Sequence, residues 1–419
     1  MKPPRSLALI IGSVGACVVM PAATHVAPVA AGPTQSDRCP RAWSPPLELR
    51  TVDGRWFTIH SPQIAQSGEG TVLLAERALL SVRRGDTALV VDSSPVGALL
   101  RSDLIATPIA SPVPQHRMLS PRAAADDSGV VHVVWGESDD STSDWPRATR
   151  IRYARLSSGG TWSAPETVME SEVLNWRPFL HSSLLSDARQ LFVAVPESRP
   201  LVDAHILVLK RSGGRWSSTS VPVAVAAVYA ELAALPGGQL VLAYVHAARG
   251  LGRDRNSVFV TVSRDEGRTW SAAAHVHRGG RNAAYDPRLA VGEGSDVVLI
   301  WAQDDESRPG NDSLVAIASA DGGATWGPPS AAAVSGGVPG TIAVAKAAQP
   351  DVVFAGSNGL TLRHFIWREG RWAECAMDRR DGSFGYALAA IGRQKILVWS
   401  EGLRAPVRGS AQPTLVSKY

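Results

Sequence analysis

Two octapeptides constrain this chain more than any other feature. Ser263-Arg-Asp265-Glu-Gly267-Arg-Thr269-Trp270 and Ser319-Ala-Asp321-Gly-Gly323-Ala-Thr325-Trp326 both read S-x-D-x-G-x-T-W. Shorter copies stand at Ser157-Ser-Gly-Gly160-Thr-Trp162, Ser212-Gly-Gly214-Arg-Trp216, Glu369-Gly370-Arg-Trp372 and Asp53-Gly54-Arg-Trp56. The tryptophans fall at 56, 162, 216, 270, 326 and 372, and from Trp162 onward the steps are 54, 54, 56 and 46 residues. A period of this length marks a supersecondary unit stacked on copies of itself. The first gap of 106 residues spans two units, which places a unit without its motif near Leu80 to Leu100.

What lies between the motifs is strand-like. His132-Val-Val-Trp135, Leu191-Phe-Val-Ala-Val195, Leu240-Val-Leu-Ala-Tyr244, Val297-Val-Leu-Ile-Trp301 and Ile396-Leu-Val-Trp399 are short apolar runs. Turns such as Asp126-Asp-Ser-Gly129 and Pro236-Gly-Gly238 precede them. Apolar residues are 45% of the 419 and charged residues only 19%, with 38 Gly and 29 Pro. The apolar spacing alternates or is continuous and lacks a 3.6-residue period, so the chain reads as all-β with many tight turns. The net charge of +4 is scattered and is not interleaved with aromatics, so no nucleic-acid partner is expected. Zinc-ligand clusters, phosphate loops, dinucleotide fingerprints and Gly-x-Ser-x-Gly elbows are absent. Asp304-Asp305-Glu306 lacks the ligand spacing of a calcium loop. No metal and no cofactor are expected.

The N-terminus reads as an export signal over residues 1–31. Lys2 and Arg5 precede an apolar run from Leu7 to Met20, and Val29-Ala30-Ala31 offers small residues for cleavage. The run is too short to span a bilayer, so no transmembrane segment is expected. Val14-Gly15-Ala16-Cys17 also resembles a lipobox, which would anchor the chain through Cys17; cleaved and lipidated forms both stand open. The expected location is secreted, or periplasmic and cell-envelope. A linker over 32–45, one domain over 46–405 and a tail over 406–419 complete the division.

The octapeptides resemble the Asp boxes (BNR repeats) of sialidase-like β-propellers. That resemblance implies four-stranded blades, with the box closing the hairpin between the third and fourth strands. It makes Ser263, Asp265, Gly267, Trp270, Ser319, Asp321, Gly323 and Trp326 structural. Clear blades are expected at 116–169, 176–223, 226–277, 281–333 and 337–378. The pair Tyr386 to Trp399 lacks outer strands, and the pair around Leu47 to Ile59 lacks inner ones. Joining the N- and C-terminal strands would close the ring, because an open propeller leaves two bare edges. A further unit from Gly70 to Ile105 would make seven blades; otherwise there are six. In this layout Cys375 ends the outer strand before the closing blade and Cys39 precedes that blade's N-terminal strand. In an oxidising compartment a Cys39–Cys375 disulfide is therefore expected to fasten the ring.

Candidate chemistry gathers where loops leave the second strands and where inner strands begin. Two residues past the second-strand ends stand Glu137, Glu197, His246, Gln303 and Glu401. Arg117 and Arg177 occupy equivalent positions before Trp135 and Val195. Arg281 or Arg288, with Tyr285 or Tyr229, lies near later inner strands beside Glu231 and Asp286. Sialidases grip a carboxylate with three arginines and use a Tyr–Glu pair as nucleophile, so the resemblance makes Arg117, Arg177, Arg281, Tyr285, Glu137 and Glu197 the catalytic candidates. Trp135, His246, Trp301 and Asp304 are the ligand-binding candidates. The family's N-terminal Arg-Ile-Pro motif is missing; only Leu47-Glu-Leu-Arg50 stands near its place. His116, Arg177, Tyr244 and His246 supply the residue types of a uronate lyase. Three readings follow: a glycan- or surface-ligand-binding propeller, an exo-sialidase-like glycosidase, or a polysaccharide lyase acting on acidic glycans. The fold alone does not choose among them, and no feature defines the oligomeric state.

Overall fold

The computed structural model describes Cys39, Trp43 and most residues from 47 to 418. Residues 1–38 lie outside it, as do short internal stretches, the longest being 140–147, 171–182, 198–204, 247–255, 306–310, 336–341, 356–361, 378–382 and 402–413. The side chains of 56–60, 77–95 and 414–418 are also outside the description. The export segment, Cys17 and most of the 32–45 linker thus fall outside the described residues. Among those described there are strands and no helix, so no helix is long and apolar enough to cross a membrane.

The described strands form seven four-stranded antiparallel sheets and one of three strands. Five blades use four consecutive strands. They are blade two from Met118–Ala125 to Glu166–Glu170, blade three from Ser183–Asp187 to Arg215–Pro222, blade four from Ala227–Leu235 to Ala274–His277, blade five from Asn282–Val291 to Ser330–Ser335, and blade six from Ala343–Ala345 to Arg371–Cys375. Blade one consists of Gln63–Ser67, Gly70–Leu74, Pro95–Leu100 and Ala106–Ala110, with a hairpin of Arg77–Arg84 and Thr87–Asp92 inserted after its second strand. This is the unit whose motif is lost. Trp56–His60 pairs with the inserted Arg77–Arg84 to make the three-stranded sheet.

Blade seven closes the ring with Ser383–Ile391, Gln394–Glu401, Thr414–Lys418 and, outermost, Leu47–Glu48, which pairs with Leu415 and Val416. Two expectations are corrected here. Thr414–Lys418, inside the segment expected as a 406–419 tail, is the third strand of this blade. Of the N-terminal pair, only Leu47–Glu48 joins it, because Trp56–His60 finds its hydrogen-bond partner in the insertion of blade one.

The count of seven rests on packing as well as pairing. Each seam between adjacent blades holds its own hydrophobic cluster, seven in all. The seam between blades seven and one, for example, buries Leu49, Leu73, Leu100, Ile396 and Val398. Near-continuous apolar second strands make this possible, since both faces of each sheet are covered by neighbours.

The Asp boxes act as turn scaffolds. Ser263 Oγ donates to Asp265 at 2.8 Å and accepts from Gly267 N at 2.8 Å; Asp265 accepts from Thr269 N at 2.8 Å and Thr269 Oγ1 at 2.6 Å. Ser319, Asp321, Gly323 and Thr325 repeat the pattern with the same distances. Gly323 has φ +85°, and a Cβ there would press on Val241, Val262 and the Trp326 ring, so only glycine suits both the turn and the packing. The shorter motifs keep the seam function: Trp162 donates to Ala110 O at 2.6 Å, Trp216 to Glu166 at 2.9 Å and Trp372 to Ser330 O at 3.1 Å. Each indole reaches back to the preceding blade.

A pH prediction follows from the boxes. Hydrogen bonds from Thr269 and Thr325 hold the Asp265 and Asp321 carboxyls down to about 2, from an ordinary 3.8. A depressed folded value contributes stability that is present above the ordinary pKa and lost as pH falls toward about 2. The melting temperature is expected to drop across this window. A variant with Asp265→Asn and Asp321→Asn is expected to melt lower at neutral pH and show a flatter profile from pH about 4 to about 2. An unchanged slope would remove the boxes from the acid response.

Candidate functional site

The seven innermost strands surround a cavity of about 390 Å³ on the propeller axis, and every one of them contributes to its wall. Most lining positions are small or apolar. Arg122, Glu231, Arg288 and Tyr386 supply the charge and the phenol.

The sequence places three of these at one level. Arg122 pairs with Val134, Glu231 with Ala243 and Arg288 with Ile300. Each of those partners immediately precedes the aromatic residue, Trp135, Tyr244 or Trp301, near the end of its second strand. Blades two, four and five thus offer equivalent positions to the channel.

Both arginines arrive through the same local device. Ser120-Pro121-Arg122 and Asp286-Pro287-Arg288 sit at register shifts of their strands, with Ser120 at φ 45° and Asp286 at φ 50°. Residues before proline are normally extended. A left-handed conformer at such a position costs about 1–3 kcal/mol and persists only where the surroundings impose it. Proline also lacks the N–H that a bulge would leave unpaired.

Arg288 is the hub of the cavity wall. Its Nη2 lies 2.7 Å from Asp286 and its Nη1 3.6 Å from Glu231. Its Nε donates to Ile342 O at 3.4 Å, while Ile342 N donates to Asp286 at 2.7 Å. Blade six is thereby tied to both members of the pair. Burial pushes the Asp286 carboxyl up, and Arg288 and the Ile342 amide pull it only part of the way back. Burial opposes the charge of Arg288, yet the Asp286 and Glu231 carboxylates hold the guanidinium above its ordinary value. A buried carboxyl raised by desolvation beside a buried arginine is a frequent mark of functional sites.

The expected site residues are placed differently. Arg117, Arg177 and Arg281 lie outside the described residues, as do His116 and the side chains of Glu197 and Glu401. Glu137 is buried and faces the third strand of its own blade, 3.5 Å from both Arg150 and Arg152, with Arg150 also paired to Asp139. It is not among the residues that line the cavity. Tyr285 packs in the seam between blades five and six and is not a cavity residue either.

The ligand-binding candidates also lie away from the cavity wall. Trp135 (0% exposed) packs edge-on against Trp162, and Trp301 (1%) lies 5.3 Å from the His277 ring in the seam of blades four and five. Aromatics near the ends of second strands fill seams, so neither ring is offered to a ligand. His246 is buried against Phe259. Burial raises the Tyr244 phenol to about 12, far from a base at neutral pH. Asp304 is half-buried in the second strand of blade five, away from the cavity wall.

Arg288, the alternative to Arg281 in the expected arginine cluster, meets Glu231 at the cavity wall; Arg122 and Tyr386, which also line it, were not among the expected residues. The signal was present: aligning first strands rather than second-strand ends superposes the two X-Pro-Arg tripeptides.

Cys39 and Cys375 are joined, with Sγ–Sγ 2.08 Å and Cα–Cα 5.6 Å. The bond ties the N-terminal segment to the outer strand of blade six, next to the closing blade.

Residues 103–331 match the family model described as BNR repeat-like domain. No curated protein matches the chain. Among solved structures, a family PL25 ulvan lyase bound to -[GlcA(1-4)Rha3S]- is similar at TM-score 0.51 and 10% identity, over 86% of this chain and 94% of that one. A Penicillium chrysogenum α-L-arabinanase complexed with arabinobiose is similar at TM-score 0.46 and 14% identity, over 72% and 93%. A Trypanosoma rangeli sialidase is similar at TM-score 0.44 and 12% identity, over 76% of this chain and 57% of that one. At 10% identity the likeness to the ulvan lyase speaks to the fold alone.

Proposed function

Because the chain belongs to the BNR repeat-like domain family, we propose that it is an exported propeller that binds a glycan in its central cavity. The observation that carries this is the level of Arg122, Glu231 and Arg288 inside one channel. Guanidinium forks match carboxylates and paired hydroxyls, and a carboxylate accepts from sugar hydroxyls. The mixed charge suits a sugar bearing both kinds of group. That a similar propeller binds a glucuronate-containing chain supports the same ligand class. Export is supported by the disulfide, which persists in oxidising compartments.

Titration calorimetry against neutral and uronate-bearing oligosaccharides tests the binding. Arg122→Ala is expected to weaken affinity about tenfold or more, roughly the 1.4 kcal/mol or above of a lost charge-assisted hydrogen bond, with the melting temperature measured alongside to separate lost binding from lost stability. No binding of any such glycan by the unaltered protein would end the proposal. Mass spectrometry of the mature N-terminus tests export: cleavage near Ala31 or a lipidated Cys17 supports it, and an intact Met1 in the native host opposes it.

A second reading, glycan cleavage, is favoured by one observation, the two buried carboxyls Glu231 and Asp286 on either side of Arg288. A carboxyl raised by burial, as Asp286 is, can serve as a proton donor beside a second carboxyl. Release of reducing ends, or of unsaturated uronate, that disappears in Glu231→Gln would support it. Binding without turnover would leave the protein a lectin-like module.

A further inference from the structure

The N-terminal segment is held at two points, and the second has nothing to do with the cysteines. Trp43 packs on the hydrophobic cluster at the seam of blades six and seven, with Ala345, Val353, Leu388, Leu397 and Trp399. Its indole N–H donates to His364 Nδ1 at 3.2 Å, and the rings meet edge-on at 5.3 Å. An indole only donates, so Nδ1 is the acceptor and Nε2 carries the hydrogen that His364 gives to Asp351 at 2.7 Å. His364 and Asp351 are both fully buried in blade six. The other Asp351 oxygen takes Lys395, which stands on the second strand of blade seven. One chain of contacts thus runs from Trp43 through blade six into blade seven, just inside the Cys39–Cys375 bond.

The same seam reaches the cavity. Tyr386 packs on the cluster that holds Trp43 and also lines the channel. Ile342, which grips Asp286 and Arg288, leads into the inner strand of blade six.

We propose that Cys39–Cys375 and the Trp43–His364–Asp351–Lys395 chain form a thiol-sensitive clasp on the seam of blades six and seven, and that its release loosens the wall of the central cavity. A dithiol reductant gives two electrons and two protons to the Cys39–Cys375 bond, which breaks to two thiols while the reductant closes to its own disulfide. Trp43 then holds the segment through its hydrogen bond to His364 and its packing. Blade seven is the vulnerable blade because its four strands come from both chain ends, so no hairpin secures its outermost strand. The proposal goes beyond glycan binding and does not depend on it.

Hydrogen exchange of the full oxidised protein, with and without dithiothreitol, reads the seam strand by strand. Reduction is expected to speed exchange about tenfold or more in Ala343–Ala345, Asp351–Ala355, Ser383–Ile391 and Gln394–Glu401, and to leave blades three and four unchanged. Trp43→Phe, with the disulfide intact, is expected to produce a smaller rise in the same strands. An even rise around the ring would show a bond that stabilises globally and overturn the clasp. So would no change on reduction once thiol titration confirms two free cysteines. A Trp43→Phe protein indistinguishable from the parent would remove the second anchor and overturn the clasp as stated.

Discussion

Replacing Arg288 with methionine is expected to destabilise the protein by about 3–5 kcal/mol, the usual cost of stripping one partner from a buried ion pair. Asp286, whose side chain is 4% exposed, would be left with the Ile342 amide and the field of Arg122, and Glu231 would lose its neighbour at 3.6 Å. The arginine itself is 25% exposed toward the cavity it lines, which favours the lower end of that range. Urea denaturation at constant m-value measures the loss. Adding Asp286→Asn is expected to restore part of it, since the stranded charge disappears with its partner. The pH response separates this from simple loss of packing. Burial raises the Asp286 carboxyl, so its contribution is fully present below its ordinary value of 3.8 and declines as pH rises through the folded value. That decline is expected to steepen in Arg288→Met and to vanish in the double variant. A single variant as stable as the parent at neutral pH would mean that the cavity pair is solvated.

Trp301→Ala is expected to cost a similar amount, about 3–5 kcal/mol, through a cavity in the seam of blades four and five. Trp301 is one of the two largest fully buried side chains described, together with Trp135. Its neighbours come from two sheets, so neither can collapse into the void without moving against the other. Molecules that still fold are expected to bind a glycan as the parent does, because the ring does not face the channel. Lost binding at unchanged stability would return Trp301 to the ligand-contacting role that its sequence position suggested.

The misplacement of Trp135 and Trp301 has a definite cause. Alignment on second-strand ends correctly found equivalent positions, but strand periodicity does not say whether a face meets a neighbouring blade or a ligand. In a propeller both faces of each sheet meet other sheets, so an aromatic at a strand end is core by default. Glu137 shows the complementary difficulty. Its partners Arg150 and Arg152 lie on the next strand, so the pairing is set by strand register and not by any local motif. Arg122 went unnoticed because Ser120-Pro121-Arg122 resembles an ordinary break in a strand until it is superposed on Asp286-Pro287-Arg288.

Local chemistry in the sequence determined the repeat: Ser, Asp, Gly and Thr at fixed spacing build a turn from their own side chains, and a tryptophan after it wedges the seam. Those contacts span only a few residues, so spacing alone reveals them, and the two-ended closing blade follows from leftover strands. The number of blades, the sheet added between Trp56 and Asp92, and the cavity ring of Arg122, Glu231 and Arg288 were decided only in three dimensions. These depend on which unpaired edges meet and on which inner-strand faces turn toward a common axis. Residues more than a hundred positions apart become neighbours there, and the periodicity of a single strand carries no record of it.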